Sequence, residues 1–135
     1  MMKVDIDYVK NLLEACEAMP EPTFDIEALK AAGIEYDDDE FVFHMQYLDD
    51  LGFIEREDKD PGFGLTRSLD GFKSWAVLPL RLTARGHQFI EALRNKEVWA
   101  TIKTGFRDAS IETLWGVSKK LLESYTEKKL QSILG

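Results

Sequence analysis

Between Phe53 and Leu82 the helical spacing of apolar residues stops. On either side of that stretch they recur at three- and four-residue steps, which trace one face of a helix. Within it, Phe53-Ile54-Glu55-Arg56 reads as a short strand, and Leu78, Leu80 and Leu82 alternate with Pro79 and Arg81 in a second strand over Val77 to Leu82. Pro79 has no amide to give to a ladder, so that strand is expected at an edge or where the amide is not needed. The residues between are punctuated by Pro61, Gly62, Gly64 and Gly71 and read as a long loop. Two short strands inside a helical chain predict an α+β, mainly helical fold.

The flanking helices carry their own start and stop signals. Ile6, Val9, Leu13, Cys16 and Met19 share a face of a first helix, begun by Asp5 or Asp7 and ended by Pro20 and Pro22. Thr23-Phe24 reads as a short extended piece, and Asp25 caps a brief second helix through Ile26, Ala28 and Leu29, with Gly33 in the left-handed position past its end. Asp37 or Asp38 caps a third, whose inward stripe is Phe41, His44, Met45, Leu48 and Leu51 and whose stop is Gly52. Thr83 caps a fourth, buried through Gly86, Phe89, Ile90 and Leu93. Helical spacing resumes around Val98, Trp99 and Ile102. After a break at Gly105 to Ser110, a long last helix runs through Ile111, Leu114, Trp115, Ser118, Leu121, Leu122 and Tyr125.

Helix, helix, helix, strand, loop, strand, helix is the order of a winged helix-turn-helix. Residues 1–95 are expected to form that domain, with a two-stranded wing whose long connection covers 58–76, and residues 96–135 a C-terminal helical extension. Leu48-Asp49-Asp50-Leu51-Gly52-Phe53-Ile54 closes the third helix and opens the strand as that fold requires. In Leu80-Arg81-Leu82-Thr83-Ala84-Arg85-Gly86 the threonine caps the next helix and the glycine lets it pack close to the sheet. Further wording accompanies these joints: Met2-Lys3 with Asp5 and Asp7, Phe43-His44-Met45 before Tyr47-Leu48, Gly86-His87 before Phe89, Val98-Trp99, and Lys128-Lys129-Leu130. Together they resemble a phage- and prophage-associated winged-helix family, a domain of unknown function (DUF2513). The resemblance covers most of the chain except residues 20–39 and the wing. It implies the fold and a phage or mobile-element setting, and it implies no activity.

Charge bears on what such a fold does. The net charge is −8, yet residues 1–58 hold 4 basic and 17 acidic side chains while residues 59–135 hold 13 and 8. Residues 35–50 contain seven acids and no Lys or Arg, on the helix that would enter a major groove. Its outward face is Asp39, Phe43, Gln46 and Asp50, flanked by Val42, Tyr47 and Asp49. A like-charge contact with phosphate near 4 Å costs about 1 kcal/mol in bulk water and about 4 at a surface-like dielectric. Several of these outweigh the one base reader, Gln46, whose best adenine contact is worth about 1–3 kcal/mol. Apolar Val42 and Phe43 on that face suit a protein interface, unless the C-terminal helix folds back over them.

The remaining candidates are weaker. Arg56, Lys59, Arg67, Lys73, Arg81 and Arg85, with Phe63, Phe72 and Trp75 among them, form a basic wing that reads either as a grip on duplex DNA or as a solvated hairpin with its aromatics on the core. Asp58, Asp60 and Asp70 among them favour the solvated hairpin. His44 and His87 sit on helix faces given to packing, and Cys16 lies on an apolar stripe; no constellation of nucleophile, base or metal ligands is visible. No enzyme activity, cofactor, metal or small-molecule substrate is expected. The apolar stripe of the last helix, with Trp115, Leu122 and Tyr125, suits a homodimer or another protein partner. A lone cysteine excludes an internal disulfide, no apolar run is long enough to span a bilayer, and Met1-Met2-Lys3-Val4-Asp5 has acids where a signal peptide needs apolar residues. A cytoplasmic location follows as the expectation. The leading functional expectation is a non-catalytic protein acting by protein contact through the acidic third helix, a surface resembling the charge of DNA. The alternative is a transcriptional regulator that holds duplex DNA by its wing.

Overall fold

A computed structural model describes residues 2–135; residue 1, the start of the expected first domain, lies outside the described residues. The fold is α+β and mainly helical, with six helices and two small antiparallel sheets among the described residues.

Caps fix where the first three helices begin. The Asp5 carboxylate accepts the amides of Asp7 and Tyr8 at 3.0 and 3.2 Å, which starts α1 (Ile6–Glu17). Asp25 accepts from Ala28 at 2.9 Å to start α2 (Ile26–Ala31), and Asp38 from Phe41 at 2.8 Å to start α3 (Asp39–Asp50). Their apolar faces turn inward: Ile6, Val9, Leu12, Leu13 and Cys16 from α1, Ile26 and Leu29 from α2, and Phe41, Met45 and Leu48 from α3 are all buried. Past α3 the chain reverses through Gly52 at φ +77°, a left-handed conformation that suits glycine.

β1 (Ile54–Arg56) then pairs antiparallel with β4 (Leu80–Leu82), Ile54 opposite Leu82 and Arg56 opposite Leu80. On the other side of β4, Leu80 exchanges backbone hydrogen bonds with Phe24 at 2.7 and 2.9 Å, as the extended Thr23-Phe24 predicts. The second strand is shorter than its alternation suggests. Residues 77–79 lie outside the ladder, because Pro79 has no amide to donate; its carbonyl accepts from Glu57 at 3.0 Å instead. The breaker-rich segment is also not a plain loop. It contains β2 (Leu65–Arg67) and β3 (Lys73–Trp75), a second hairpin with Leu65 opposite Trp75 and Arg67 opposite Lys73. The expected pair of strands is therefore present as β1 and β4, and a second two-stranded sheet lies in the connection between them.

Thr83 accepts from the Gly86 amide at 3.1 Å to start α4 (Ala84–Arg94), and its hydroxyl donates to Gly52 O at 2.6 Å, tying the helix to the turn after α3. Asn95 ends α4 with an extended backbone, and its side chain accepts from Glu97 and Val98 to begin α5 (Lys96–Gly105), so the two are distinct helices. Ser110 caps α6 (Ile111–Leu134), which packs on α4 and α5. Val98, Ile102, Ile111 and Leu114 join the same buried cluster as α1–α4. One core therefore runs across residue 95. Among the described residues no helix is long and apolar enough to cross a membrane.

Candidate functional site

The solvent side of α3 becomes a site because three segments border it. Asp39, Val42, Phe43 and Gln46 line one wall of an open hollow of about 620 Å³; Gly62, Phe63, Leu65 and Arg67 form the other, with Met2 at one end. A smaller hollow of about 320 Å³ lies on the far side of Phe43, between Met2–Val4, Tyr47 and residues 108–110. Phe43 borders both hollows and is half-buried, with its ring centroid 5.1 Å from His44 and 6.1 Å from Tyr47. Asp39, Gln46 and Asp50 are exposed, as the helical geometry predicts, and Val42 packs partly onto the core. The Gln46 side-chain amide donates to Asp50 at 3.0 Å, so the one base-reading group on this face is already held by an acid. The structure brings α3 candidates together with Arg67 from the basic set, a juxtaposition that helix periodicity alone does not reveal. The C-terminal helix does not fold back over this face; the N-terminal segment and the loop before α6 border Phe43 instead.

Two contacts set the hairpin against α3. Phe63 is buried, with its ring 6.2 Å from Phe41 and 6.1 Å from Trp75. The Trp75 indole donates to Asp37 at 3.1 Å and Lys73 approaches the same carboxylate at 3.3 Å. The indole hydrogen bond, then the ammonium, hold the Asp37 carboxyl below its ordinary value. On the other flank, burial raises the Asp49 carboxyl, aided by Asp50 and Glu55 and opposed by the Gly62 amide. Phe63 and Trp75 thus pack as a solvated hairpin requires, whereas Phe72 stays 75% exposed beside Leu69, which is fully exposed at the hairpin tip.

The other basic candidates are engaged within the chain. Arg56 pairs with Asp58 and Asp60, Lys59 and Arg81 both pair with Glu55, and Lys73 with Asp37. Lys59, then Arg81, lower the Glu55 carboxyl, and Arg56 lowers that of Asp58. Arg85 lies over the rings of Phe53 and Trp115 at 5.1 and 5.8 Å. Arg67 alone of the six has no such partner among the described residues.

The titratable residues inside the fold have structural duties. The Asp5 amide donates to His44 Nε2 at 2.9 Å, which leaves the proton on Nδ1 to donate to Glu40 O at 2.8 Å. His44 is fully buried and ties the N-terminal segment to α3. His87 is not on a packing face: it is exposed, 3.8 Å from Glu17, which also pairs with Arg94. Cys16 is buried, and that burial raises its thiol well above the ordinary range. On α6, Trp115 stacks edge-on against Phe53 and Phe89 of its own chain, both at 5.6 Å, so it serves this core before any second copy. Leu122 and Tyr125 are half-buried, and the exposed apolar residues of the helix lie further on, at Leu130, Ile133 and Leu134.

An "Uncharacterized protein" of Haemophilus influenzae (strain ATCC 51907 / DSM 11121 / KW20 / Rd) is 21% identical over 129 residues, covering 96% of this chain and 99% of that protein. No solved structure matches. A family model described as "Hypothetical protein (DUF2513)" matches residues 3–112, which takes in α1 to α5 and both sheets. The chain belongs to that family.

Proposed function

We propose that this chain is a non-catalytic, cytoplasmic winged-helix protein of phage or mobile-element type that works by binding another protein through α3. On this reading α2 and α3 are the helix-turn-helix, and residues 58–76 with the β2–β3 hairpin are the wing. The observation that carries it is Phe43: a large apolar ring left half-open between two hollows, with Asp39, Gln46 and Asp50 around it. An aromatic at the centre of a concave patch with a polar rim is the anatomy of an interface anchor. The acids favour a partner whose contacting surface is cationic, including one that otherwise holds DNA. Partner capture by the purified protein, with chemical crosslinking and mass spectrometry, tests this. Phe43→Ala and Asp39→Lys are each expected to lower capture about tenfold or more without altering the fold. Capture that is unchanged by both substitutions overturns the reading.

A second reading has one observation in its favour. Leu69 and Phe72 stand exposed at the hairpin tip beside Arg67, the combination of apolar wedge and cation that enters a minor groove. It is the weaker reading because Arg56, Lys59, Lys73 and Arg81 are already ion-paired with neighbouring acids. Pairing of two copies through α6 would rest on Leu122, Tyr125 and Leu130, with Trp115 committed to its own core.

A further inference from the structure

The hollow beside α3 has a second property, set by the hydrogen-bond pattern of the hairpin that walls it. In β2 and β3 the ladder bonds alternate. The Ala76 amide donates to Gly64 O at 2.8 Å and the Ser68 amide to Phe72 O at 2.9 Å, two pairs spaced four residues apart along the strand. With Thr66 opposite Ser74, the bonded pairs are 64 with 76, 66 with 74 and 68 with 72. Leu65 and Arg67 are therefore the non-bonded positions, and their amides and carbonyls point away from β3 along the free edge of β2. No other segment bonds to them through its backbone among the described residues. The same two residues line the hollow. An unpaired strand edge beside an apolar depression is a template for an added strand.

We infer that the partner enters this hollow as an extended peptide that adds a third strand to the free edge of β2, hydrogen-bonding Leu65 and Arg67. This rests on the reading of α3 as the contact surface and specifies what the surface holds. Alternate side chains of an added strand point to opposite faces, so every second residue faces α3. Those residues are apolar, since they meet Val42, Phe43 and Phe63. A residue just past the end of that strand is basic, because Asp39 stands exposed at the rim of the hollow with no ion-pair partner among the described residues. The residues between the apolar ones face solvent and are polar. Backbone bonding supplies affinity and the alternation supplies selectivity.

The edge is testable because its amides are dispensable to the hairpin. Arg67→Pro removes a donor that β3 does not use, whereas Arg67→Ala removes the charge and keeps the donor. The probe is a capped seven-residue peptide alternating Lys with Val and Phe, and the readout is an NMR titration of the full chain. Binding is expected to shift the Leu65 and Arg67 amide signals and to protect both from hydrogen exchange. Arg67→Pro is expected to raise the dissociation constant about tenfold or more, and Arg67→Ala about threefold or less. A peptide carrying N-methyl groups along its bonding edge should fail to bind. Equal affinity for Arg67→Pro and the unsubstituted chain, or no binding of the alternating peptide, overturns the added strand. Loss on Phe43→Ala with indifference to Arg67→Pro sinks the strand and keeps the α3 surface; indifference to both sinks the two together.

Discussion

Gly86 is the residue at which the packing has least slack. A Cβ placed there would overlap Phe53 O, a backbone oxygen that accepts the Thr83 amide beside the β1–β4 ladder and cannot retreat without losing that bond, and would come within 2.9 Å of Leu82 Cδ2. Gly86→Ala is expected to destabilise the protein by about 2–3 kcal/mol, measured as a lower denaturation midpoint with an unchanged slope. Substitution of Gly105, where nothing lies within 4 Å, is the matched control. This tight joint was legible in the sequence, because Leu-Thr-x-x-Gly states its cap and its close approach within five residues. His44 is the contrary case. Its place on the inward stripe of α3 was readable, but its duty was not: the Asp5 amide that it accepts lies 39 positions away, and no local spacing encodes that meeting. His87 was misplaced for a related reason. It adjoins buried Gly86 in sequence, yet the face of α4 rotates it out toward Glu17.

Among the elements, the hairpin is the one the sequence concealed. Its strands are three residues each, too short for period-two alternation to stand out, and they lie among glycines that argue for loop. A signal was present in Asp70-Gly71, a favoured turn pair, set between Leu65-Thr66-Arg67 and Lys73-Ser74-Trp75. The attachment of this hairpin through Asp37, just before the cap of α3, gives a pH dependence. The folded carboxyl titrates below its ordinary value of 3.8, so the folded state favours the charged form. Its contribution is therefore present above the unfolded value and is lost as pH falls through the lowered folded value. The indole Nε1–H resonance of Trp75 should hold its position down to the carboxylate range and move only below it. In Asp37→Asn that acid transition should vanish, and the Lys73 ammonium should become more mobile at neutral pH. A Trp75 resonance that moves identically with acid in both proteins would show that the latch lies elsewhere. Asp37 is exposed, so the effect belongs to the hairpin's placement and contributes little to global stability.

At the scale of the whole molecule, the division of charge stops being a matter of totals. The acidic half supplies the exposed face of α3, while most cations expected of the wing are spent on acids beside them in the fold. The sequence could display the asymmetry and the absence of Lys and Arg from residues 35–50, because both follow from residue type alone. It could not display that Arg67 joins the α3 hollow, since that depends on a hairpin folding back across roughly twenty residues. The consequence is measurable as a salt slope. Each phosphate neutralised contributes about −0.9 to the slope of log binding constant against log salt concentration on duplex DNA. A six-cation grip would therefore give a slope of about −5 and lose roughly a thousandfold in affinity between 50 and 200 mM salt. With Arg67 and Arg85 as the candidates without an acidic partner among the described residues, whatever residual binding exists should show a slope of about −2 and a loss of about tenfold over that range. Fluorescence anisotropy of a labelled random duplex across that salt series reads the slope directly. A value near −5 would mean that the ion pairs with Glu55, Asp58 and Asp37 open to phosphate, and would move the function to the wing. A value near −2, halved by Arg67→Ala, would leave DNA only an incidental contact beside the α3 hollow.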